Sequence, residues 1–283
     1  MPINETHNPL SLSVVPAVRL LDQPYYNLSA ALELMQTLHT MQALDGFEFQ
    51  NLAEWDARFP PLDEAERRLA AWQTAPKHTP ADIASQLGSL NLPIISIHAN
   101  RDVGICLCAP DPRTFKQGEQ LVHESLAFAQ ALGAEICVFH LWDTWKEDFD
   151  LPRLEKTFNK IARGYKGVKA CVENIPTHLS GKTPFDLLLS FEWITLDTRW
   201  AAFYAELDKF AEIRTSIANV HLQGRLQGTK WLEGNDSHQF DNTLKLILSW
   251  GYTGPLTLEP HGLQPGGLEK LIASMAQLKI ALT

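Results

Sequence analysis

Residues 192–197, Glu192-Trp193-Ile194-Thr195-Leu196-Asp197, form a short, largely apolar run that ends on a carboxylate. The run is too short for a helix and has the length of a buried strand. The same design recurs outward on both sides. Toward the N-terminus lie 168–173, ending on Glu173, then 135–141, with His140 near its end. Before them come 93–98, ending on His98, and 45–50, with Glu48 near its end. Toward the C-terminus, 216–222 carries His221 and 255–260 carries Glu259. With 12–18 there are eight runs. Their starts lie about 35 residues apart, the length of one βα unit.

Helical periodicity fills most of the intervals. Apolar residues recur at i, i+3 and i+4 spacing over 28–41, 115–132, 151–162, 240–250 and 268–282. Gly133 and Gly251 follow two of these segments as stop signals. The longest interval holds two helix candidates, 63–72 and 81–90, and the sixth and seventh intervals are less clear. Strict β–α alternation requires parallel strands, because parallel neighbours need a crossover. Eight units without an interdomain linker predict one closed (β/α)8 TIM barrel over residues 1–283, a single domain. Val18-Arg19-Leu20-Leu21 stands where a dinucleotide-binding glycine motif would lie, and Gly181-Lys182-Thr183 lacks the earlier glycine of a phosphate loop.

The 283 residues carry 24 Lys and Arg against 33 Asp and Glu, a net charge of −9. That balance argues against nucleic-acid or anionic-membrane partners, whose binding relies on cationic side chains. No basic and apolar leader opens the chain and no stretch reaches membrane-spanning length, so the cytoplasm is the expected compartment. The four cysteines, Cys106, Cys108, Cys137 and Cys171, have no zinc or redox spacing and read as reduced, buried thiols.

In a (β/α)8 barrel the chemistry sits at the C-terminal ends of the strands. Seven of the eight runs place Glu48, His98, His140, Glu173, Asp197, His221 or Glu259 there. Gathering so many ionisable groups at one mouth is costly unless they pair or bind a metal. A mixed oxygen and nitrogen set suits one divalent ion, Mn, Mg, Co or Zn.

The residues that carry this pattern resemble the xylose isomerase-like TIM barrel superfamily, which holds sugar isomerases, sugar epimerases and apurinic endonucleases. The carriers are Asp45-Gly46-Phe47-Glu48, Leu132-Gly133-Ala134, Val172-Glu173-Asn174, Leu196-Asp197-Thr198, Val220-His221-Leu222 and the stretch from Gly251 to Glu259. Asn174 is placed to support a neighbouring carboxylate. The resemblance implies a metal held by Glu173, Asp197, His221 and Glu259. It implies that Glu173 and Glu259 are the acid–base pair of a sugar or sugar phosphate isomerase or epimerase. One would take a proton from a metal-chelated substrate and the other would return it. Glu48, His98, His140, Trp142, Trp200 and Arg225 are the expected substrate contacts.

The chain departs from its relatives in the layer around the metal. Trp200 replaces a histidine three residues after the sixth-strand Asp, and Gly224 replaces an aspartate three residues after His221. Gln227 replaces an arginine, with Arg225 as a nearby substitute. An endonuclease with a zinc cluster is the alternative, since His98, His140 and Asp236-Ser237-His238 match histidines and an Asp-x-His pair of that branch. A non-catalytic barrel that binds a small molecule is a third reading. Trp142, Trp145, Trp200 and Trp231 follow strands and either stack on a sugar or pack loops over the barrel. His178 and His261 read as loop residues, and His123 and Glu124 as an outer helix face. The last helix is expected to cover the barrel and offers a face for a homodimer.

Overall fold

The computed structural model describes residues 8–21, 27–51, 77–232 and 239–282. Eight parallel strands close into a barrel. They are β1 (Leu10–Ser13), β2 (Gly46–Gln50), β3 (Ile94–His98), β4 (Ile136–Phe139), β5 (Lys169–Glu173), β6 (Trp193–Asp197), β7 (Ile217–Gln227) and β9 (Leu256–His261). Neighbours pair in chain order from β1 to β7; β9 lies between β7 and β1 and completes the ring. A short strand, β8 (Lys230–Leu232), turns back antiparallel on the end of β7 through Gly228. This hairpin was not foreseen from the sequence.

Period-two alternation sorts the strand residues into two shells. Ile194 and Leu196, Val220 and Leu222, and Leu256 and Leu258 belong to the main apolar core, together with the helices. The alternate positions, Thr195 and Asp197, Asn219 and His221, and Thr257, are buried polar groups. Deep in the barrel a second apolar cluster, Ile136, Val138, Cys171 and Ala218, packs with Trp193. The inward face of the sheet is thus apolar at depth and polar toward the mouth.

The helices are held at their starts by local chemistry. Asn27 caps Leu28–Thr40, Asp111 caps Pro112–Ala131 and Asp150 caps Leu151–Ala162. Thr79 and Asp82 form a capping box on Pro80–Ser89. Gly133 and Gly251 have positive φ (68° and 75°) and end their helices as expected. The final helix, Leu268–Leu282, does cover the barrel. It buries Leu271, Met275 and Leu278, and Lys279 Nζ donates to Asp45 Oδ1 at 2.6 Å.

Two expectations change. The run 12–18 is a strand only to Ser13; Val14–Ala17 is a helical turn. The β-branched Val14 and Val15 suggest strand, but Pro16 has no N–H for a ladder. The seventh strand extends five residues past the expected end, to Gln227. The unassigned sixth interval holds a short helix, Thr198–Phe203, and a 3₁₀ segment, Leu207–Ser216. The expected helix 63–72 and the Asp236-Ser237-His238 motif lie outside the described residues. All four cysteines are free and buried. Among the described residues, no helix is long and apolar enough to cross a membrane.

Candidate active site

Glu48 lies on the inward face of β2 and is fully buried. One oxygen, Oε2, gathers three donors: Ser96 Oγ at 2.9 Å, His221 Nε2 at 3.0 Å and Asn219 Nδ2 at 3.4 Å. Glu48 therefore reaches across the barrel to β7 rather than toward solvent. Burial opposes its ionisation, but the pairing with His221 prevails and its pKa is lowered.

His221, also fully buried, spends Nε2 on Glu48. Its Nδ1 faces Glu173 Oε1 at 3.3 Å and Glu259 Oε1 at 3.6 Å, yet makes no hydrogen bond. Burial disfavours a charge on this ring; Glu48, Glu173 and Glu259 outweigh it and raise the pKa well above the ordinary value.

Glu173 closes the other half of the cluster. Its Oε2 accepts from His140 Nε2 at 2.9 Å and lies 3.5 Å from His98 Nε2. Burial again opposes ionisation, and His221 and His140 overcome it, so the carboxyl is held well below the usual range. His140 is steadied on its far side by Asp143 at 3.5 Å, which Arg101 grips at 2.9 Å and 2.8 Å. Despite burial, Glu173 and Asp143 raise the pKa of His140 to about 9. His98 Nδ1 points to the Ala99 carbonyl at 3.0 Å, which leaves Nε2 facing His140 at 3.2 Å.

Asp197 and Glu259 see a different environment. Asp197 Oδ1 accepts from the Trp200 backbone N–H at 2.9 Å, the start of the Thr198–Phe203 helix. Asn174 brackets the Asp197 backbone, accepting its N–H at 2.6 Å and donating to its carbonyl at 3.0 Å. Gln223 Nε2 donates at 2.6 Å to both Asp197 Oδ2 and Glu259 Oε2. Burial and the charge of Glu173 push Asp197 up to about 7. Burial, opposed by His221 but reinforced by Glu173, Glu48 and Asp197, pushes Glu259 up to about 7 as well.

Among the described residues, three groups of side chains offer ligand atoms within 4.8 Å of one another: Glu173, Asp197 and His221; Glu48, His221 and Glu259; and His98, His140 and Glu173. The four residues expected to hold a metal fall in the first two groups, joined through His221. The donor set fits a divalent cation on one observation. Buried Nδ1 of His221 lacks a hydrogen bond and is turned toward two carboxylates, while its other nitrogen is fixed by Glu48, an arrangement typical of metal-ligating histidines.

The remaining expected residues lie elsewhere. Trp142 is buried, with Nε1 donating to the Ile175 carbonyl at 2.9 Å. Trp200 meets the site through its backbone; its ring sits by Arg199 (4.6 Å) and Phe203 (6.1 Å). Arg225 is exposed on the hairpin, where it pairs with Leu232. Trp145 is 84% exposed and its ring lies 4.8 Å from His178. Trp231 stacks on Phe240 at 5.3 Å. That stack explains Gly224: a Cβ there would come within 2.7 Å of the Phe240 ring. Sequence reasoning missed Gln223, Ser96, Asn219 and Asp143. The signal for Gln223 was its place two residues after His221, on the same face of the strand.

A sequence profile described as xylose isomerase-like TIM barrel matches residues 42–279. The chain belongs to this family. Solved structures of similar fold include a sugar phosphate isomerase/epimerase from Parabacteroides distasonis. It is 16% identical at a TM-score of 0.62, covering 99% of this chain and 96% of that one. A D-tagatose 3-epimerase-like protein is also 16% identical, at a TM-score of 0.62, with 97% of each chain covered. A xylose isomerase-like TIM barrel protein from Mycobacterium smegmatis, solved in complex with magnesium, is 12% identical at a TM-score of 0.56, covering 97% of this chain and 95% of that one. No curated protein matches the chain.

Proposed function

We propose that the protein is a divalent-metal-dependent isomerase or epimerase acting on a sugar or similar polyol. The observation that carries this reading is the convergence of Glu173 and Glu259, from strands β5 and β9, on Nδ1 of His221. Glu173, Asp197, His221 and Glu259 would hold the cation, which when bound supplies Lewis-acid polarisation of a substrate carbonyl.

The chain's own residues supply the proton chemistry. Glu173, kept ionised by two imidazoles, is the base that takes a proton from the carbon beside the carbonyl. The electron pair of that C–H bond moves toward the carbonyl oxygen and yields an enediolate. Glu259, whose carboxyl is raised to about 7 in the metal-free protein, is the acid that returns a proton from the other side. Two carboxyls whose surroundings push their pKa values apart are a recurrent means of dividing acid from base. His140 and Asp143 hold the Glu173 carboxylate in place. The similar folds of a sugar phosphate isomerase/epimerase and a D-tagatose 3-epimerase-like protein support this substrate class.

The test is solvent deuterium uptake into ketoses, free and phosphorylated, in protein loaded with Mn²⁺. Uptake at carbon should be lost in Glu173→Gln and Glu259→Gln. Full exchange in both variants would exclude them as the acid–base pair. A phosphodiesterase with a zinc cluster is the second reading, favoured by the His98, His140 and Glu173 group. Three zinc ions per chain with cleavage of abasic DNA would replace the first reading.

A further inference from the structure

Gln223 sits almost buried on β7, between the strands that carry Asp197 and Glu259. Its Cα is the direct ladder partner of Glu259. Its Nε2 donates to one oxygen of each carboxylate at 2.6 Å. An amide nitrogen carries two hydrogens and can serve two acceptors at once, which a hydroxyl cannot. The amide oxygen points the other way, to His261 Nε2. A reversed amide would set its oxygen against two carboxylate oxygens and would need the other tautomer of His261.

This brace decides which oxygens are left over. With Oε2 of Glu259 taken, Oε1 is the oxygen on the His221 side, 3.6 Å from Nδ1. With Oδ2 of Asp197 also taken and Oδ1 on the Trp200 N–H, the carboxylate plane is fixed. Without the amide, two neighbouring carboxylates repel and swing apart. We infer that Gln223 is a positioning residue that presets Asp197 and Glu259 for a divalent cation, and that His261 fixes the direction of its amide. The inference rests on the metal-centre reading above.

Calorimetric titration with Mn²⁺ and the visible spectrum of the Co²⁺-loaded protein test it. Supporting groups of this kind typically change metal affinity by about 10–100-fold. Gln223→Leu should weaken Mn²⁺ binding by that factor and shift the Co²⁺ absorption bands. His261→Ala, at the exposed end of the relay, should weaken it several-fold. The double variant should match Gln223→Leu alone, because both changes break one relay. Wild-type affinity and spectrum in both single variants would overturn the brace while leaving the metal centre standing. Losses that add in the double variant would overturn the role of His261. Wild-type protein that binds neither ion would instead overturn the metal-centre reading itself. If Gln223→Leu does not fold, His261→Ala carries the test alone.

Discussion

Two sides of the barrel mouth hold the same kind of group in opposite company. On the β2–β5 side, Glu48 and Glu173 are surrounded by the imidazoles of His98, His140 and His221. On the β6–β9 side, Asp197 and Glu259 share chiefly a neutral amide, that of Gln223. Burial opposes ionisation on both sides. Imidazoles overcome it on the first, so Glu173 stays well below the usual range. The amide does not on the second, where both carboxyls rise to about 7. Sequence position alone would have treated Glu173 and Glu259 as equivalent. Their neighbours hold the pKa of one well below the usual range and raise that of the other to about 7.

The largest effect should come from breaking the paired side at its deepest point. Glu48→Leu leaves the His221 Nε2 proton, the Ser96 hydroxyl and the Asn219 amide without their shared acceptor. Removing one partner of a buried ion pair costs about 3–5 kcal/mol, since the other charge stays behind. Urea unfolding of metal-stripped protein should show a loss of that order. A loss below about 1 kcal/mol would mean that the imidazole side is not held by ionic pairing.

This contrast was only half legible in the sequence. The strand ends named the ionisable residues, because apolar runs closing on Glu, Asp or His are visible without coordinates. Period two also implied which residues face inward. The partners were hidden for physical reasons. Glu48 and His221 are 173 positions apart and meet only because the barrel closes. Asp143 belongs to a loop, where no periodicity aims a side chain. Gln223 carries no charge and so drew no notice, although it is on the face of His221. The run at 12–18 misled because β-branched Val14 and Val15 favour a strand locally, while Pro16 ends the ladder. At Gly224 the departure from the aspartate that the resemblance implies was readable, but its cause, the Trp231–Phe240 stack, was not.

An intermediate effect tests that cause. Gly224→Asp would drive a Cβ to within 2.7 Å of Phe240 and 3.0 Å of Trp231. Overpacking of this kind costs about 1–3 kcal/mol. Phe240→Ala in the same chain should recover part of the Gly224→Asp penalty, because the two changes share one volume. Strictly additive unfolding free energies would separate Gly224 from the aromatic stack.

The smallest effect has the opposite sign and discriminates most sharply between the two sides. A carboxyl whose pKa rises from 4.5 in the unfolded chain to about 7 in the fold binds its proton more tightly when folded. Its ionisation therefore costs stability progressively as pH rises from about 4.5 through 7, with the full cost present above. Glu259→Gln keeps an oxygen for the Gln223 N–H and removes that charge. In metal-stripped protein above pH 7 it should stabilise the fold by about 0.5–2 kcal/mol, a common gain when a strained functional group is neutralised. Below pH 4.5 the gain should vanish. Glu173→Gln, tested alongside, should destabilise at pH 7, because His140 and His221 lose their counter-charge. The same chemical change thus helps on one side of the mouth and harms on the other. Chelator-treated samples unfolded in urea at several pH values would measure both. Equal signs for the two variants would collapse the distinction between a paired side and a braced one.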